Sequence, residues 1–159
     1  HGEPAPGPPG DAGLRVAPDA EGWRGIPSWE WLRAPVDPGR SATIQRVCRV
    51  AASLERLSAR PPVEARAALQ TVPGVGRWTA AEVAQRAWGD ADAVSFGDYH
   101  VARSIGWVLV GEQLDDDGLA QLLEPYAGHR YRVQRLLELA GLGHPRHGPR
   151  MAPRTHLPG

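Results

Sequence analysis

Residues 69–79 read Leu-Gln-Thr-Val-Pro-Gly-Val-Gly-Arg-Trp-Thr, a tight Pro-Gly-x-Gly turn between two helical patterns. That unit commits the middle of the chain to two helices joined by a sharp reversal. The periodicity elsewhere agrees. A first long helix is predicted over 43–59, with Ile44, Val47, Ala51 and Leu54 at helical spacing and Ser41 or Thr43 as cap. Pro61-Pro62 ends it. Further helices are predicted over 63–70, 79–88, 98–110, 118–126 and 129–140. Their inward stripes are Ala80, Val83, Ala84 and Ala87; Val101, Ile105, Val108 and Leu109; and Val133, Leu136, Leu137 and Ala140. Residues 28–32 form one short helical turn, and Asp37-Pro38-Gly39 signals a turn. No strand pattern competes, and no internal repeat is visible. The predicted class is all-α.

At 159 residues the chain reads as one domain, or most of one, long enough to bury a core. Residues 1–22, rich in Pro and Gly, read as an extended or disordered leader; 23–143 form the folded domain; 144–159 form an Arg/Pro-rich, irregular tail. No apolar run is long enough to span a membrane, and the first residues lack the basic flank and apolar core of a signal peptide. A cytoplasmic location is expected. Cys48 is the only cysteine, which excludes an intrachain disulfide and a four-cysteine metal site.

Formal net charge is zero, so bulk charge does not drive nucleic-acid binding. Its distribution is uneven. From residue 129 onward six arginines (Arg130, Arg132, Arg135, Arg146, Arg150 and Arg154) stand against Glu138 alone, while acids gather at Asp115, Asp116 and Asp117. The basic end suits phosphate contact or a solvated surface equally. His144, His147 and His156 lack accompanying ligands at metal spacing. Every basic residue is arginine, so no side-chain amine can form a Schiff base.

In the turn, the glycines open backbone angles closed to other residues. Successive N–H groups then point outward at the start of the next helix, where free donors and the helix dipole favour a phosphate oxygen. The Thr79 hydroxyl adds a donor. Such a contact positions a duplex without reading a base. Glycines serving only tight helix packing are the plainer alternative. One helix and one loop later comes Asp92-Ala-Val-Ser-Phe-Gly-Asp98-Tyr99-His100. Asp98 is placed to open a helix, where aspartate often serves as N-cap. A cap bond would also aim its carboxylate.

These two segments resemble the DNA glycosylase superfamily named for its helix-hairpin-helix and its Gly/Pro-rich loop with aspartate. Leu-Gln-Thr-Val-Pro-Gly-Val-Gly-Arg-Trp-Thr-Ala is most similar to the 3-methyladenine DNA glycosylase II branch, which excises alkylated purines. The resemblance covers the chain after the leader. It implies a helical glycosylase domain truncated at its N-terminus, since the family carries helices before the equivalent of residue 1. It implies Asp98 as the catalytic carboxylate, stabilising the positive charge that builds on the sugar as the base departs. Trp78 and Tyr99 would line the base pocket and attract a cationic base through their ring faces, with Tyr131 a weaker candidate. Gly74, Gly76, Arg77, Thr79, Arg130 and Arg132 would bind the DNA backbone. The carbonyls of Gln70, Val72 and Val75 would hold a structural Na+ or K+.

Bifunctional relatives place a lysine where this chain has Trp78, and the endonuclease III-like branch carries four cysteines for an iron–sulfur cluster; this chain has neither. The resemblance therefore implies a monofunctional enzyme of base excision repair with no required cofactor. It would act as a monomer on damaged double-stranded DNA, flipping out the base, in a bacterial cytoplasm at the nucleoid. Two other readings stand beside it: a non-catalytic helix-hairpin-helix DNA-binding module or inactive fragment, and a helical interaction domain without DNA affinity.

Overall fold

The structure, a computed structural model, describes residues 1–34 and 36–144. Among the described residues it is all-α, with ten helices, two 3-10 turns and no strand beyond one isolated antiparallel bridge. None of these helices is long and apolar enough to cross a membrane.

The leader is folded rather than extended. Pro4 and Arg15 form the bridge, Ala5 N–H donates to Leu14 O and Val16 N–H to Glu3 O, closing a loop around helix α1 (Pro8–Asp11). Helix α2 (Ala20–Gly25) is capped by the Asp19 carboxylate, and α3 (Ser28–Arg33) follows after Pro27. Trp23 and Trp31 stack across them at 5.6 Å.

The predicted helix over 43–59 is broken in two and begins earlier. Helix α4 (Pro38–Arg49) starts where a turn was expected: Asp37 accepts from Arg40 N–H, and proline occupies the first turn, where its missing donor costs nothing. Val50 leaves helical geometry, and α5 (Ala51–Glu55) and a 3-10 turn (Arg56–Ala59) complete the segment. Helix α6 (Pro62–Leu69), the hairpin turn and α7 (Arg77–Ala87) then match expectation closely, as do α8 (Val101–Val110), α9 (Asp116–Leu122) and α10 (Arg130–Leu139).

Two apolar clusters hold the helices. Leu69, Val72, Val75 and Ala80 pack with Val47, Leu54, Leu57 and Trp88 around the hairpin. Val94, Ala102, Ile105, Leu119 and Leu123 pack with Phe96, Val133 and Leu137 between α8, α9 and α10. Leu119 and Leu123 are fully buried, and each contributes about 1.5–3 kcal/mol. The small side chains Ala81, Ala84 and Ala93 let the loop after α7 lie against that helix. Some predicted inward residues face out: Val83, Ala87, Leu109, Leu136 and Ala140 are exposed. On α10 the buried residue is Gln134, at 3 % exposure.

Candidate functional site

The hairpin comes first. Val75 N–H donates to Val72 O at 2.9 Å, tightening the turn. Gly74 has φ +97°, and a Cβ there would lie 2.1 Å from Thr43 Oγ1, so helix α4 and the turn require glycine. Gly76 corrects the expectation that both glycines serve unusual angles. Its φ of −88° and ψ of 178° suit any residue, and a Cβ would meet nothing within 4 Å. Its bareness leaves open space instead. The N–H groups of Gly76, Arg77, Trp78 and Thr79 make no hydrogen bond among the described residues; the first helical bond is Ala80 N–H to Gly76 O. Arg46, on α4, donates to Pro73 O at 3.3 Å and sets a guanidinium beside the turn. Sequence reading did not single it out.

The carbonyls of Gln70 and Val75 accept no hydrogen bond among the described residues, while that of Val72 takes one and keeps a second lone pair. Among the described residues, no group of three or more His, Cys, Asp or Glu could hold a metal ion.

One face of α7 and one face of α10 flank a half-open cavity of about 400 Å³. Trp78, Glu82, Gln85 and Arg86 line it from α7; Tyr131, Gln134, Arg135 and Glu138 from α10; Ser95, Asp98 and Val101 close it. Both helical sets follow the i, i+3/i+4, i+7 spacing of a single face. A second cavity of about 710 Å³ shares Asp98, Val101, Gln134 and Glu138 and continues toward Ser104 and Leu142.

Asp98 precedes α8 instead of starting it. Its Oδ1 accepts from His100 N–H at 2.7 Å and Val101 N–H at 3.2 Å, while Oδ2 makes no hydrogen bond among the described residues. The carboxylate is thus fixed through one oxygen and half-exposed at the junction of both cavities. Gly97 lies against Trp78, with a built Cβ 3.7 Å from that of the tryptophan. Trp78, itself one of the residues with a free N–H, joins the hairpin to the cavity.

The remaining candidates divide. Tyr99 does not line the cavity: it is 67 % exposed, with Arg103 over its ring at 4.0 Å and His100 against its edge. Tyr131 and Trp78 both line the cavity. Arg130 is not a free cation. Its Nε donates to Asp92 Oδ1 at 2.7 Å, and Nη2 pairs with Oδ2. Gly128 and Arg130 N–H also donate to Oδ1. Burial would raise the Asp92 carboxyl, but these partners outweigh it and hold the group below its ordinary 3.8. The same pairing raises Arg130. Arg132 is exposed, without an ion pair among the described residues. Arg77 stacks over Phe96 at 4.7 Å and stands 3.9 Å from Asp116 Oδ2. Thr79 is half-buried near the start of α7. Arg146, Arg150, Arg154, His147 and His156 lie outside the described residues.

Sequence reading missed the polar floor of the cavity. Ser95 Oγ donates to Glu82 Oε1 at 2.6 Å and accepts from Gln85 and Gln134 amides at 2.9 and 3.1 Å. Ser95 N–H donates to Gln134 Oε1 at 3.0 Å. The available signal was polar residues recurring at helical period on α7 and α10. Compared with family models, curated proteins and solved structures, the chain matches none.

Proposed function

We propose that this protein is a monofunctional DNA glycosylase that releases alkylated purines from duplex DNA. The observation that carries the reading is the placement of Asp98 and Trp78 on one cavity, with Trp78 belonging to the row of free N–H groups that begins α7. The amides of residues 76–79 bind a backbone phosphate. An extruded base then enters between α7 and α10, against the Trp78 and Tyr131 rings. Cleavage of the N-glycosidic bond leaves the sugar with oxocarbenium character. The unengaged Oδ2 of Asp98 stabilises that charge and orients a water toward C1′. An alkylated purine already bears positive charge and departs with little protonation. With no lysine in the chain, lysine attack at C1′ is unavailable to it, and the product is an abasic site.

The test is incubation of methylated duplex DNA with the protein and with Asp98→Asn, measuring free 3-methyladenine and 7-methylguanine. Release should fall at least about a hundredfold in the variant, with duplex affinity unchanged. Asparagine keeps the Oδ1 acceptor for His100 and Val101, so the fold should survive. Duplex binding by the parent without base release would instead identify a non-catalytic DNA-binding module.

A further inference from the structure

Glu82 on α7 and Glu138 on α10 line the same cavity and are held in the same way. One oxygen of each rests on a buried bridge; the other pairs with an arginine on its own helix. Glu82 Oε1 accepts from Ser95 at 2.6 Å, and Oε2 pairs with Arg86 at 2.9 Å. Glu138 Oε1 accepts from Gln134 at 2.8 Å, and Oε2 pairs with Arg135 at 3.3 Å. Ser95 and Gln134, 2 % and 3 % exposed, bond to each other and complete the bridge.

Burying a hydroxyl and an amide is costly unless every bond is made. Apolar side chains would join α7 to α10 without that cost. What the polar bridge adds is direction, because it holds two carboxylates on the wall of one half-open cleft. Each carboxylate oxygen can accept two hydrogen bonds, so both glutamates keep capacity for a ligand. Arg86 and Arg135 are 69 % and 52 % exposed, where water screens them; the Glu82 side chain is 25 % exposed and that of Glu138 43 %, so Glu82 is the more sheltered of the two carboxylates.

The geometry points to Glu82 and Glu138 as a specificity-determining pair for the extruded base. They attract a purine edge that carries positive charge or amino hydrogens and repel one that presents a carbonyl. This inference rests on the glycosylase reading and adds to the stacking of Trp78 and Tyr131, which accepts any base face.

The experiment measures single-turnover release of 3-methyladenine, whose nucleotide in DNA is a cation with an amino edge and no carbonyl, and of hypoxanthine, neutral and carbonyl-edged, from otherwise identical duplexes. The parent is compared with Glu82→Gln and Glu138→Gln. Glutamine keeps size and one acceptor but removes the charge. The ratio of the two rates should fall about tenfold in each variant, the margin between a charge-assisted and a neutral hydrogen bond, with duplex affinity unchanged. If Glu82→Gln does not fold, the more exposed Glu138 carries the test. Equal loss of both rates, or an unchanged ratio, overturns the pair's role while leaving the glycosylase reading intact. A parent that releases neither base overturns both.

Discussion

Alanine at Gly76 and alanine at Gly74 should have opposite consequences, although the residues are two apart in one turn. At Gly74, φ of +97° disfavours any side chain, and the new methyl would meet Thr43 Oγ1 at 2.1 Å. Thr43 is itself tied to Gly39 O at 2.8 Å, so it yields only by losing that bond. Strain and displacement together cost about 2–4 kcal/mol. For a chain of this size that lowers Tm by about 5–15 °C. At Gly76 the backbone suits alanine, and nothing stands within 4 Å. Stiffening of the unfolded chain gains about 0.4–1 kcal/mol, and a poorer N-cap loses a similar amount. Tm should therefore move by less than about 2 °C. On the proposed reading, a methyl at the first of the free amides of residues 76–79 crowds the phosphate they bind. Losing one charge-assisted hydrogen bond there costs about 1.5–3 kcal/mol, a 10- to 100-fold weaker Kd. Thermal unfolding and fluorescence anisotropy with a labelled duplex at one fixed salt concentration would read both quantities. A stable Gly76→Ala variant that binds DNA as tightly as the parent would refute the assignment of these amides to the phosphate backbone.

Other perturbations bear on the scaffold. Asp92→Asn removes the charge that pairs with Arg130 and should cost about 2–3 kcal/mol in urea unfolding, below the range for a fully buried pair because both groups retain some exposure. Since the Asp92 pKa is lowered in the fold, its stabilisation is fully present above the ordinary value of 3.8 and is lost as pH falls through the lower native value. Tm measured from pH 7 down to pH 3 should therefore decline less steeply in Asp92→Asn than in the parent. Gln134→Leu strands the Ser95 N–H and should lose about 1–3 kcal/mol; unchanged stability would mean the buried bridge is dispensable to folding.

Much of the helical framework was legible in the sequence because α6, α7, α8 and α10 carry period-3.6 patterns and the turn carries its own punctuation, although on α7 and α10 the predicted stripe includes residues that face out. The beginning of α4 was legible in principle: Asp37-Pro38 is a capped helix start as well as a turn signal, and local sequence does not rank the two. Its interruption at Val50 was not, since Val47, Ala51 and Leu54 continue the apolar spacing across the break. The Pro/Gly-rich leader is ordered by backbone bonds between residues 3–5 and 14–16, and composition is blind to such pairing. At the site, Asp98 and Trp78 stood out through their segments. The surroundings of Tyr99 and Arg130 were not legible, because neighbours decide their orientation: Arg103 and His100 hold the tyrosine ring, and Asp92, distant in sequence, engages the guanidinium. Gln134 was overlooked because an amide is rarely buried; its partner at Ser95 makes burial tolerable, and that partnership spans separate elements.

The segment between α7 and α8 is fastened to α10 at two places, Ala91 and Asp92 to residues 130–132 and Ser95 to Gln134. On the helix these points are about one turn apart. A single rivet would let a rod swivel; two in line stop its rotation as well as its sliding. Positions 131, 135 and 138 therefore inherit a fixed aim from chemistry that lies between them. New side chains could be installed at those three places to retune what the hollow accepts, with the chassis left untouched.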